Sequence, residues 1–125
     1  ETGNKAYEGS FKKGKKDGIG TKFFDNGQIE YQGEWKDNFQ DGHGTLSHRE
    51  TGNKAFEGDF KRGKRAGSGT EYLSSGQISS QGEWKEGLLD GHGTEYHHET
   101  GNKAYEGQFN KGKRHGNGTE YFDGD

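Results

Sequence analysis

The chain has 125 residues, a formal net charge of −3 and only 22% hydrophobic residues. It contains no cysteine, which excludes a disulfide framework and a thiolate metal site and leaves the redox compartment open. No apolar run approaches a membrane-spanning length, and nothing in it reads as a secretory or transit segment.

In chain order, the first element is a strand around Tyr7-Glu8-Gly9-Ser10-Phe11. Alternation puts Tyr7, Gly9 and Phe11 on one face and Glu8 and Ser10 on the other. Residues 12–17 read as a polar turn centred on Gly14. A strand over 18–24 runs back, and Asp25-Asn26-Gly27 is a strong hairpin signal. The next strand carries Tyr31-Gln32-Gly33-Glu34-Trp35. Its turn has Asn38 where Gly14 stood, and asparagine tolerates the left-handed region best after glycine. A strand over 42–48 leads to the turn Glu50-Thr51-Gly52-Asn53. Strands at 56–60 and 67–73 flank a turn at Arg62-Gly63-Lys64, and a turn at Ser74-Ser75-Gly76 follows. Strands at 81–84 and 91–97 flank Glu86-Gly87-Leu88-Leu89. A last hairpin runs from Tyr105 through Gly112 to Tyr121. No segment has apolar residues at helical spacing, so the chain predicts about ten antiparallel strands and no substantial helix.

The phrase aromatic-x-Gly-x-aromatic, then Gly-x-Gly-Thr, occurs five times, with Ser80 in place of the leading aromatic in the fourth. Its first glycines stand at 9, 33, 58, 82 and 107, so the spacing alternates between 24 and 25 residues. Scarcity of Leu, Ile, Val and Phe would by itself suggest disorder, but a disordered chain has no reason to keep this period. Twenty-five glycines without proline or a Gly-X-Y period exclude collagen. Such self-similarity marks a repeat architecture in which each unit buries its face against its neighbours. The units fall at approximately 7–30, 31–55, 56–79, 80–104 and 105–125. Residues 1–6 match 50–55 and 99–104, the pattern of a piece from a longer or engineered array.

Glycine normally weakens a strand. Here it clears space for rings that lie over the glycine backbone, with Trp35 expected over Gly44 and Phe60 over Gly69. The opposite face carries a threonine ladder of Thr21, Thr45, Thr70, Thr94 and Thr119 with Glu, Gln and Asp. One side of every ring in a one-layer sheet is expected to look outward, forming an apolar groove. Tyr7, Phe11, Tyr31, Trp35, Phe56, Phe60, Trp84, Tyr105 and Phe109 are the candidate lining, suited to a protein or peptide partner such as an amphipathic helix. Ser80 stands where a ring is missing and predicts a gap.

These phrases, above all Tyr31-Gln32-Gly33-Glu34-Trp35 and Gly42-His43-Gly44-Thr45, resemble the MORN repeat. The resemblance spans nearly the whole chain. It implies an all-β, elongated, single-layer twisted antiparallel sheet of consecutive β-hairpins. It also implies non-enzymatic scaffolds in cytoplasmic cytoskeletal, ciliary or junctional assemblies, with contact to phosphoinositides or membranes, or accessory modules attached to enzymes.

A second period lies above the first. Odd units carry basic turns: Lys12, Lys13, Lys15 and Lys16; Lys61, Arg62, Lys64 and Arg65; Lys111, Lys113 and Arg114. Even units carry Phe39 or Leu88-Leu89 with Asp41 or Asp90. Four strands separate successive basic turns, placing them about 19 Å apart along one edge at a strand spacing of about 4.8 Å. Solvated turns that discourage sheet aggregation are the plain reading; sites for anionic lipid or acidic partners are the sharper one. Nucleic acid is disfavoured by the net charge and the lack of a stacking code. The outer strand edges offer end-to-end self-association.

Other chemistry is weak. Gly9 to Lys15, Gly58 to Lys64 and Gly107 to Lys113 read G-x-x-x-x-G-K, but Lys16, Arg65 or Arg114 follows in place of Ser or Thr, and no helix N-terminus faces a phosphate. The six histidines lack cysteine partners and ligand spacing, so no metal or other cofactor is expected. No carboxylate pair or Ser/His/Asp set stands out, and no catalytic residue is assigned. Asn117-Gly118-Thr119 is a formal glycosylation sequon within an ordinary repeat phrase.

Overall fold

The computed structural model describes residues 5–123. Ten strands follow in order: β1 (Tyr7–Lys12), β2 (Lys15–Phe23), β3 (Ile29–Lys36), β4 (Phe39–Ser47), β5 (Lys54–Lys61), β6 (Lys64–Tyr72), β7 (Ile78–Lys85), β8 (Leu88–Tyr96), β9 (Lys103–Asn110) and β10 (Lys113–Glu120). They form one open antiparallel sheet in sequence order, with no helix among the described residues. The meander expected from the alternating pattern is therefore present, and each strand pairs with its chain neighbours.

The basic turns are shorter than the sequence suggests. Residues 12–17 were expected to turn together, yet Lys15, Lys16 and Asp17 already belong to β2. Likewise Phe39 opens β4 and Leu88 opens β8. The reason is the backbone: both turn residues have positive φ, at Lys13 (52°) and Gly14 (79°), and at Asp37 (51°) and Asn38 (74°). Two such residues make a tight hairpin whose twist matches the flanking strands. Arg62-Gly63, Glu86-Gly87 and Lys111-Gly112 repeat the geometry.

Adjacent hairpins are tied along this edge. The backbone N–H of Asn38 donates to the Lys16 carbonyl (3.0 Å), Gly63 to Gln40 (2.8 Å), Gly87 to Arg65 (3.0 Å) and Gly112 to Leu89 (2.7 Å). Carboxylates of the even units finish the job. Asp41 accepts the Arg62 N–H at 3.2 Å and Asp90 that of Lys111 at 3.1 Å. At the opposite edge, His48 Nε2 donates to the Tyr72 carbonyl (2.9 Å) and His97 Nε2 to that of Tyr121 (3.0 Å). Those histidines therefore act as hydrogen-bonding links between units.

One row of glycines crosses the whole sheet. Gly9, Gly20, Gly33, Gly44, Gly58, Gly69, Gly82, Gly93, Gly107 and Gly118 are paired in turn, one per strand. Within hairpins the register shifts beside this row, as between Gly33 and Trp35; between hairpins it passes the row unbroken and shifts farther along, as between Lys22 and Phe23. The row is what lets rings lie flat on the backbone.

Candidate interaction surfaces

The rings lie on one face, but not over the glycines first expected. A β-carbon on Gly44 would strike the hydroxyl and ring of Tyr31, not Trp35, and one on Gly69 would strike Phe56, not Phe60. Tyr7 covers Gly20 and Tyr105 covers Gly118 in the same way. In the four phrases that have a leading ring, that ring thus reaches diagonally across its own hairpin. Its tip is fixed by a hydrogen bond: the hydroxyls of Tyr7, Tyr31 and Tyr105 donate to the carbonyls of Ser10 (3.0 Å), Glu34 (3.0 Å) and Gln108 (3.2 Å). Burial, with a smaller contribution from the Glu34 charge, raises the Tyr31 phenol well above its ordinary range.

The second ring of each phrase turns toward the preceding unit. The indoles of Trp35 and Trp84 donate to the carbonyls of Gly20 (3.1 Å) and Gly69 (3.0 Å), fifteen residues back. Edge-to-face contacts then run Phe11–Tyr7–Trp35–Tyr31–Phe60–Phe56–Trp84, with centroids 5.1–5.4 Å apart. This geometry suits the ring quadrupole.

The expectation that each ring keeps an outward side does not hold. Tyr31, Trp35, Phe56, Phe60, Trp84, Tyr105 and Phe109 are only 0–7% exposed. Interlocked rings cover one another's faces, and long side chains lie across them. Tyr7 is half-buried, and Phe11, on the outer strand, is 60% exposed. Seven of the nine residues are therefore brought together as a core with only their margins accessible; Tyr7 packs against that core and Phe11 lies open at its end.

Ser80 interrupts the chain of rings. It is buried, and its hydroxyl donates to Glu71 at 3.1 Å. Beyond it only the Tyr105–Phe109 pair resumes, at 5.4 Å. Leu89 is buried beside the gap, and Phe109 leans toward Gly93. The gap expected from the sequence is thus partly filled by other side chains.

The basic residues divide into two groups. Lys16, Arg65 and Arg114, the last cation of each odd turn, fold over the rings. Lys16 Nζ is 5.1 Å from the Tyr7 and Trp35 centroids; the Arg65 guanidinium is 4.5 Å from Phe56 and 5.2 Å from Trp84; that of Arg114 is 4.6 Å from Tyr105. Such contacts are attractive over a ring face. Arg65 also pairs with Glu71 at 2.9 Å, and Arg114 with Glu95 at 2.8 Å. The Glu95 bond holds the Arg114 charge on. Glu71 and Glu95 escaped notice in the sequence, although each follows the Gly-x-Gly-Thr phrase directly.

The remaining cations, Lys12, Lys13, Lys15, Lys61, Arg62, Lys64, Lys111 and Lys113, are exposed at the turn edge. Around Arg62-Gly63 they gather. Lys61, Arg62, Lys64, Arg65 and Lys85 line an open pocket of about 460 Å³ with Trp84, Ala66 and Glu86. Lys85 was missed because it belongs to the next hairpin. The other basic turns stand four strands away on either side.

The opposite face is polar. Glu8, Thr21, Gln32, Thr45, Glu57, Thr70, Gln81, Thr94, Glu106 and Thr119 form the expected ladder. Glu34, Asp59 and Glu83 accept the backbone N–H groups of His43 (3.2 Å), Ser68 (3.3 Å) and His92 (3.1 Å), beside the register shifts. Those carboxylates support the backbone. His43 and His92 line one open groove on this face but come from β4 and β8. A family model described as MORN repeat matches residues 7–29, 31–49, 56–78, 81–97 and 105–125. No curated protein matches the chain.

Proposed function

The chain belongs to the MORN repeat family, and from that premise we propose that it is a non-enzymatic scaffold holding a protein or peptide partner along the ring face. Modules of this family are generally non-catalytic and often bind proteins or membranes. The observation that carries the reading is the ring chain from Phe11 to Trp84. It fixes the backbone of seven strands into one rigid surface before any partner arrives, and a preorganised surface loses less entropy on binding. A partner would touch the ring margins and the cations above them, so an amphipathic segment with acidic flanks fits best. A cytoplasmic setting in cytoskeletal, ciliary or junctional assemblies belongs to the same proposal.

A second reading is favoured by the pocket at Arg62-Gly63. Five cations around one cavity suit an anionic headgroup, each lysine contributing about 1 kcal/mol near an anionic surface. The two readings separate on one set of variants. Lys16→Glu with Arg114→Glu changes the ring face outside the pocket, and Lys61→Gln with Lys85→Gln changes the pocket. Partner capture followed by cross-linking should fail for the first pair and survive the second. Flotation with phosphoinositide vesicles should do the reverse if the pocket binds lipid. Capture that survives the ring-face pair overturns the first reading.

A further inference from the structure

Among the described residues, strands β1 and β10 are the outer strands of the sheet order, and each has one side without a partner strand there. We propose that these two edges fit each other, so that copies of the chain associate head to tail, β10 of one against β1 of the next.

At the internal joint between β8 and β9 the register runs Gly91–Phe109, His92–Gln108, Gly93–Gly107, Thr94–Glu106, Glu95–Tyr105 and Tyr96–Lys103. Setting Gly118 of one copy opposite Gly9 of another gives Gly116–Phe11, Asn117–Ser10, Gly118–Gly9, Thr119–Glu8, Glu120–Tyr7 and Tyr121–Lys5. Five of the six pairs are the same residue types as the internal joint. The sixth replaces one polar pair with another. Even the skipped residue matches, Ala6 standing where Ala104 does.

Side chains follow the same template. Inside the sheet Trp35 lies edge-on to Tyr7 (5.4 Å), and Phe60 to Tyr31 (5.2 Å). Phe11 has no preceding unit, which is why it alone of the second rings is largely exposed. Across the new joint it would meet Tyr105. Lys16 stands where Arg114 does, and Glu120 where Glu95 does, so the Arg114–Glu95 bridge has a counterpart. Such a contact joins two different patches rather than one patch to its own copy, so it continues beyond a dimer into a ring or a filament.

The joint also carries an unfavourable contact. Internal turns alternate basic with acidic, as Lys64 with Glu86 at 3.3 Å. The new joint sets two basic turns side by side, with Lys13 in the place of Glu86 against Lys113. Salt screens this repulsion, so association should strengthen with ionic strength. Lys13→Glu restores the internal pair; Glu86 already adopts the same backbone conformation.

Sedimentation velocity of the 125-residue chain over a concentration series, at low and high salt, tests this. The average mass should rise past that of a dimer, more so at high salt. Lys13→Glu should associate several-fold more tightly than the parent at low salt. Phe11→Asp should stay monomeric with an unchanged strand spectrum. Should Phe11→Asp lose that spectrum, Tyr121→Lys, which sets lysine against Lys5, carries the same expectation. A monomer at every concentration in both parent and Lys13→Glu overturns the proposal. So does a mass that stops at the dimer, or association that survives in a folded edge variant.

Discussion

A side chain at Gly44 has nowhere to go, because the Tyr31 ring occupies the space and its hydroxyl is anchored to Glu34. Gly44→Val is expected to cost at least about 1–3 kcal/mol through overpacking, read as a lowered urea midpoint; a neutral result would mean that the ring moves aside freely. The anchor itself is worth less. Phe56 fills the same place without a hydroxyl, so Tyr31→Phe should lose only about 0.5–1.5 kcal/mol, the contribution of one hydrogen bond. Tyr31 also sets an alkaline limit. Its phenol is raised in the folded state from an ordinary value of 10.0, so the neutral form is the one folding favours. That contribution is complete below about pH 10 and is lost as pH rises toward the folded value. Chemical denaturation across this range should show the fall, and Tyr31→Phe should flatten it; an equal fall in the variant would assign it to other groups.

Within a single hairpin the alternation of Tyr31, Gly33 and Trp35 was legible, because a period of two needs no knowledge of the partner strand. The turn lengths were not. Lysine, arginine and glutamate carry no outward sign that they will take positive φ, yet Lys13, Arg62 and Glu86 all do. Nor could the sequence say which ring covers which glycine, since that depends on a diagonal contact and therefore on register. Ring burial was missed for a related reason: the closure of Phe60 onto Tyr31 joins neighbouring units. Asp41 was visible as part of the even-unit pattern, but its use became clear only with the N–H of Arg62 beside it. Asp41→Ala should lower stability by about 0.5–1.5 kcal/mol and loosen the Arg62 amide toward hydrogen exchange. If that amide exchanges as before, the Asp41 contact does not protect it.

Across the whole array the sheet is quasi-one-dimensional, so its stability is a sum over units and the joints between them. The joints are not equal. From β1 to β7 each is closed by a ring from one unit set against a ring of the next, but at Ser80 that link is absent and Leu89 and Phe109 occupy part of the space. Restoring the ring alone should therefore fail. Ser80→Phe would crowd Leu89 and remove the donor to Glu71, costing about 1–3 kcal/mol. In the second unit Gln40 stands opposite Trp35, as Leu89 stands opposite Trp84. Adding Leu89→Gln to Ser80→Phe reproduces that arrangement and should recover much of the loss, since neighbouring substitutions are not additive. Hydrogen exchange gives the readout at the level of the array. In the parent chain β9 and β10 should open at lower free energy than β3 to β6, because one ring joint fewer holds them. In the double variant the ring at position 80 would bridge Trp84 and Phe109, and protection of β9 should rise toward that of β5. Equal protection along the parent sheet, or a double variant no more stable than Ser80→Phe alone, would show that Leu89 and Phe109 already close the joint as well as a ring does.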